Sequence, residues 1–182
     1  MASTSVSVST ADKSKPYIPT SGLRSDGWSN ESEATATCFC GAIQLIFPLK
    51  APGLVPGGVH ICNCTDCHKI HSSMFGSNFT VLDSHLKHVC GESDLKQFTE
   101  KTTTTTGNAM TNFFCTTCGS LMYRRGSGFP GMSILRIGTV DDFNLMETVL
   151  KPDVEQFVED RVNWLPGTGA AGVKQVVGFN YK

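Results

Sequence analysis

Apolar and polar residues alternate with a period of two along most of the chain beyond about residue 34. Ile43, Leu45 and Phe47 bracket Gln44 and Ile46 until Pro48 ends the run, which predicts a strand. Val59 and Ile61 predict a short strand. Phe75, Phe79 and Val81 predict another, and Leu95 with Phe98 a further one. Met110 to Phe114 and Leu121 to Arg124 read as two strands around a turn, and Met132 to Val140 alternates Ile134 and Arg136 against Leu135 and Ile137. The run Thr102–Thr106 is β-prone and is expected on a solvated hairpin. No amphipathic pattern of helix length stands out; Pro152 to Trp164 comes nearest and reads as either state. Many short strands separated by Gly/Pro turns, without βαβ alternation, predict an all-β fold of mainly antiparallel short strands.

The first 33 residues differ. Residues 1–33 are rich in Ser, Thr, Gly and Pro and poor in large apolar side chains. Such a segment buries too little surface to offset its ordering entropy, so it is expected as a mobile or surface-lying arm before one domain spanning 34–182. A chain of 182 residues has room for one sizeable core. Net charge of −1 gives no basis for binding nucleic acid or an anionic membrane. No apolar run approaches transmembrane length, and the start lacks the basic and apolar regions of a secretory signal. The expectation is a cytoplasmic protein with reduced cysteines.

Cysteine spacing changes the picture most. Seven of eight cysteines fall into three clusters: Cys38-Phe39-Cys40-Gly41, Cys62-Asn63-Cys64-Thr65-Asp66-Cys67 and Cys115-Thr116-Thr117-Cys118-Gly119. In C-x-x-C-G the thiolates flank a tight turn, and the glycine supplies the positive φ on which the chain leaves it. In C-x-C a small bend in an extended segment brings two sulfurs to a common metal. Tetrahedral Zn–S bonds of about 2.3 Å put sulfurs about 3.8 Å apart, within reach of both spacings. Cys38, Cys40, Cys115 and Cys118 thus make a closed four-thiolate site, with a disulfide framework as the alternative. Cys62, Cys64 and Cys67 make a set one ligand short. It is either an open, catalytic-type site or one closed by His60, His68 or His71. Cys64-Thr65-Asp66-Cys67-His68 also matches the c-type haem attachment pattern, but that reading leaves Cys62 idle. Cys90 stands alone and is expected as a buried apolar cysteine, with His85 and His88 at the surface.

The order C-F-C-G, C-N-C-T-D-C-H-K, F-C-T-T-C-G-S-L and I-G-T-V-D-D resembles the family of the glutathione-dependent formaldehyde-activating enzyme, shared with centromere protein V. The resemblance runs from about Ala34 to Trp164. It implies an Mss4-like β fold with two zinc ions per chain: a structural one on Cys38, Cys40, Cys115 and Cys118, and a catalytic one on Cys62, Cys64 and Cys67. It also implies carbon–sulfur lyase chemistry on a small-molecule substrate, with glutathione as a possible co-substrate. A base for a hydroxyl proton would come from His60, Asp66, His68 or His71, among which spacing does not choose. The chain departs from the family where an arginine commonly follows the second cluster, here His68, and where a Gly-Ser turn follows, here His71-Ser72-Ser73. The family's P-x-x-H-I stretch is replaced within Pro152 to Phe157. These changes motivate a rival reading, a tailoring lyase or dehydratase of the same fold acting on a non-glutathione substrate. A zinc-stapled binding module without catalysis is the second alternative.

Overall fold

The computed structural model describes residues 6–104, 106–169 and 172–179, so the first five residues of the arm and Thr105 of the threonine run lie outside the described residues. The strands form two sheets. In the smaller, β1 (Glu33–Thr37) pairs antiparallel with β2 (Gln44–Pro48), which pairs with β5 (Lys87–Cys90). The larger sheet has eight strands. Its centre holds β3 (His60–Cys62), β4 (Gly76–Leu82), β9 (Met132–Arg136), β8 (Leu121–Gly126), β7 (Met110–Cys115) and β6 (Leu95–Glu100), all antiparallel. Beyond β3, β10 (Val154–Gln156) and β11 (Lys174–Val176) add in parallel. The all-β expectation holds.

Period-two alternation gives the large sheet two unlike faces. One carries Phe79, Val81, Leu135, Tyr123 and Phe113, which pack with Ala34, Ala36, Leu45 and Phe47 of the small sheet into a single core. Phe47 and Phe79 meet across the sheets at 4.7 Å between ring centroids. The other face follows the cross-strand register His60↔Asn78, Asn78↔Arg136, Ile134↔Arg124 and Asn112↔Arg124. Apart from Ile134 it is polar and nevertheless buried, for all of these side chains are nearly inaccessible. A buried polar face is costly unless its groups are partnered, so it marks the functional side of the sheet.

Two elements differ from the sequence expectation, and one ambiguous stretch is resolved. A short helix, α1 (Thr65–His71), follows β3 and packs against β4. Seven residues are too few to display helical periodicity, but its ends are well made. Cys64 stands at the N-cap, Asp66 lies in the first turn, and Ser72 closes the helix in the left-handed region at φ 50. The alternation of Met132 to Val140 ends at Arg136, after which Ile137–Thr139 turn as 3-10 helix. The ambiguous stretch after Pro152 resolves into β10 and a 3-10 turn at Val158–Asp160.

Residues of the N-terminal segment run along the turn at Asp142–Asn144. Tyr17 N–H donates to Asp142 Oδ1 at 2.9 Å, Ser29 Oγ to Asp142 Oδ2 at 2.6 Å, and Asn144 Nδ2 to the Asp12 and Lys15 carbonyls at 2.8 and 2.9 Å.

Candidate metal centres and active-site cavity

The seven clustered cysteines gather into two groups, in each of which all Sγ atoms lie within 4.8 Å of one another. The first, Cys38, Cys40, Cys115 and Cys118, sits where the β1–β2 turn meets the β7–β8 turn, so it ties the two sheets together at one end. Its Cys38–Cys40 and Cys40–Cys115 sulfur separations are 3.6 and 3.7 Å, close to the tetrahedral value and far beyond a disulfide's. All eight cysteines are free thiols. The glycines behave as the turn chemistry requires: Gly41 and Gly119 stand at φ 81 and 74, and each N–H closes its turn on the first cysteine's carbonyl at 2.9 Å. The Ile43 N–H points at Cys38 Sγ at 3.2 Å. Burial pushes the Cys38 thiol up to about 12. Burial also raises Cys118, but hydrogen bonds from the Ser120 hydroxyl and amide and the Cys40 amide outweigh it and bring Cys118 down to about 6. Four sulfur donors so placed fit a divalent metal ion with soft-ligand preference.

The second group is Cys62 at the end of β3, Cys64 at the N-cap of α1 and Cys67 one turn on. The bend from strand into helix is what turns a C-x-C-x-x-C string into three convergent sulfurs. Among the described residues, no histidine nitrogen or carboxylate oxygen joins this group. Cys67 is held well below the ordinary thiol range, by hydrogen bonds from Cys62 and Cys64 and by the guanidiniums of Arg124 and Arg136; Cys62 and Cys64 are pushed up in turn. Of the three, Cys67 alone is favoured as a thiolate. Three thiolates suit a metal ion that keeps one coordination position for another ligand.

The four candidate bases part company here. His60 is buried, its Nδ1 is 3.1 Å from the Gly58 carbonyl oxygen, and burial brings it down to about 4. His71 packs its ring against Gly76, where burial brings it down to about 3. His68 and His71 each hold a buried Nε2 without a hydrogen-bond partner. Asp66 alone of the four lines the cavity that opens beside Cys64, and its Oδ2 accepts from Thr103 Oγ1 at 2.8 Å. That cavity measures about 360 Å³, at the lower end of small-molecule sites.

Sequence reasoning missed Arg124 and Arg136. Arg136 is buried, donates through Nη1 to Asn78 Oδ1, and leaves Nε and Nη2 unpartnered. Burial brings its guanidinium down to about 9 and Arg124 adds to this, while charge on Cys67 and Cys62 opposes it. An arginine at an inward position of a central strand was the available signal. Glu155 was missed as well; it stands three residues after Pro152, where the family pattern has its histidine. Its carboxylate is buried and accepts from Arg161 Nη1 at 2.9 Å, Asn63 Nδ2 at 3.1 Å and Gln175 Nε2 at 3.3 Å, pinning the C-terminal stretch to the residue between Cys62 and Cys64. Cys90 is half-buried, not sealed in a core, because Arg24 Nη1 reaches its Sγ at 2.9 Å. His88 is half-buried against Tyr123.

Fold and site together define a β protein with two thiolate clusters able to hold metal and a cavity beside the open one. The family profile described as glutathione-dependent formaldehyde-activating enzyme matches residues 33–160, and the chain belongs to that family. Among solved structures, a Rhodobacter sphaeroides protein aligns at TM-score 0.45 and 22% identity, over 58% of this chain and 85% of that one. No curated protein matches the chain. Among the described residues no helix is long and apolar enough to cross a membrane.

Proposed function

We propose that the protein is a zinc enzyme that makes or breaks a carbon–sulfur bond in a thiol adduct of a small carbonyl compound. The observation that carries this reading is the three-sulfur cluster of Cys62, Cys64 and Cys67, with Cys64 in the wall of a ligand-sized cavity. Cys38, Cys40, Cys115 and Cys118 hold a closed zinc that staples the sheets. A zinc ion on the other three thiolates would supply a position for exchanging sulfur or oxygen ligands.

The chain's own residues supply the rest. Arg124 and Arg136 flank the thiolates and offset their charge, so a further anionic ligand can enter without unopposed repulsion. In an S–C(OH) adduct, loss of the hydroxyl proton releases a carbonyl compound and a thiolate; the reverse addition takes that proton back. Asp66 takes and returns it, because among the four candidates only Asp66 lines the cavity. Burial keeps His60 and His71 neutral at working pH, which suits them to orienting roles. Membership of the family supports a small-molecule substrate and a link to glutathione.

Metal analysis and activity test the proposal together. The purified chain is expected to hold two zinc ions. Cys64→Ser is expected to hold one, keep its fold, and lose the exchange of thiol adducts followed by NMR with formaldehyde and glutathione. A single zinc in the unaltered protein, or full activity in Cys64→Ser, would refute it.

A further inference from the structure

The cavity beside Cys64 has one side that a peptide thiol does not match. Phe129, Phe157 and Phe179 form one side. Phe157 and Phe179 stand nearly perpendicular at 5.0 Å between ring centroids, and Phe129 meets Phe179 at 6.3 Å. Phe157 holds φ 55 and ψ 48, a left-handed conformation that a bulky residue adopts only when its surroundings impose it. The strain turns the chain just after β10, where the Asn63 N–H binds the Gln156 carbonyl at 3.1 Å, and it brings Phe157 to the cavity. Phe179 leaves 45% of its surface uncovered.

Arg124 also lines this cavity. It is 7% exposed, its Nε has no hydrogen-bond partner, and among the described residues no carboxylate pairs with it. Its cross-strand neighbour Asn112 has a buried, unpartnered Oδ1. Asp66 and Asp160 line the cavity as well, but Asp160 is exposed to water and Asp66 is held by Thr103. The guanidinium is the buried charge, and a buried charge demands a partner. The thiolates supply only part of one. Three thiolates with a divalent ion would leave one negative charge against the two guanidiniums of Arg124 and Arg136, so among the buried groups at this end of the cavity one positive charge remains for a ligand.

We infer that the cavity binds a flat aromatic molecule bearing one anionic oxygen group, a carboxylate or phenolate, with that group on Arg124 and its ring against Phe157 and Phe179. This names the substrate class of the carbon–sulfur chemistry proposed above and rests on that reading for the reaction. Glutathione carries two carboxylates, an ammonium and two peptide groups. The phenylalanine side offers these groups no partner, so a glutathione moiety would lie along the threonines and Asn108 that line the rest of the cavity. A cage of three phenylalanines can also hold a cation, but Arg124 repels one.

Calorimetry on the zinc-loaded full chain tests this with naphthalene-2-carboxylate, its uncharged carboxamide, glutathione and 2-naphthyltrimethylammonium. The carboxylate is expected to bind about 10- to 100-fold more tightly than the carboxamide, as for a hydrogen bond to a charged group. Arg124→Gln is expected to erase that ratio while leaving carboxamide affinity within about twofold. Phe179→Ala, at a half-exposed position that does not threaten the fold, is expected to weaken both about tenfold. Undetectable carboxylate binding, tighter binding of glutathione or of the ammonium probe, or unchanged affinity in Phe179→Ala overturns the inference. A chain with one zinc that still binds the carboxylate through Arg124 and Phe179 would sink the proposed chemistry and leave the ligand class standing.

Discussion

Replacing Arg136 with methionine separates two accounts of why a guanidinium is buried beside three cysteines. Arg136 is 4% exposed, the one hydrogen bond of its guanidinium among the described residues goes to Asn78, and two of its nitrogens are unpartnered. Desolvating such a cation costs several kcal/mol, and among the described residues no carboxylate repays it. If the thiolates of a metal-loaded cluster are its counter-charge, removing it from the loaded protein breaks a buried ion pair and destabilises by about 3–5 kcal/mol. In a Cys67→Ser background stripped of metal at this cluster, the remaining thiols bind protons and the counter-charge largely disappears. The substitution then relieves the desolvation cost and leaves Asn78 Oδ1 unsatisfied, a loss of about 1–3 kcal/mol. The two terms nearly cancel, and the net change is expected within about 1 kcal/mol of zero. Urea unfolding followed by tryptophan fluorescence, in the loaded protein and in that stripped background, measures both values. Equal destabilisation in the two states would refute the thiolates as the counter-charge.

Three further outcomes are expected. Cys118→Ser opens the four-sulfur site that joins the sheets. Because structural zinc sites contribute about 10–16 kcal/mol to folding, the variant is expected to be unfolded by circular dichroism at 25 °C; a cooperative melt near that of the unaltered protein would count against the stapling role. Burial holds His71 near 3, below its ordinary value of 6.5, so the unfolded chain takes up the proton first. Stability from this group is complete above pH 6.5 and falls by about 1.4 kcal/mol per unit toward pH 3, roughly 2 kcal/mol by pH 5. His71→Gln should lack that part of the slope in unfolding curves between pH 7 and 5, and an unchanged slope would show that the ring is not sealed. Glu155→Ala leaves Arg161 and Asn63 without their shared acceptor. It is expected to cost about 3–5 kcal/mol and to speed amide exchange at residues 161–169 and 172–176, whereas unchanged exchange there would mean the carboxylate does not pin them.

Much of the fold was legible in one dimension because its cause is one-dimensional. A strand whose two faces differ must alternate in side-chain character, and Asn78 to Val81 does. The four-cysteine cluster was legible for a related reason: C-x-C-G and C-x-x-C-G are local turns whose glycines carry the needed positive φ. The short helix α1 was hidden by its length. Arg124, Arg136 and Asn78 were hidden because alternation reports which residues share a face and not which face holds the core. Glu155 was hidden because its partners come from positions 63, 161 and 175, which only chain reversal brings together.

By itself, then, the amino-acid order determined an all-β chain with seven cysteines at metal-ligand spacings, and its family. Those properties rest on contacts between near neighbours and on side-chain chemistry. Tertiary structure decided which candidate base reaches the cavity, and set two buried arginines beside the three-sulfur cluster. It also brought Phe129, Phe157 and Phe179 together as one wall. Cross-strand register and the parallel addition of β10 beside β3 make these juxtapositions, and both depend on pairings between residues far apart in the chain.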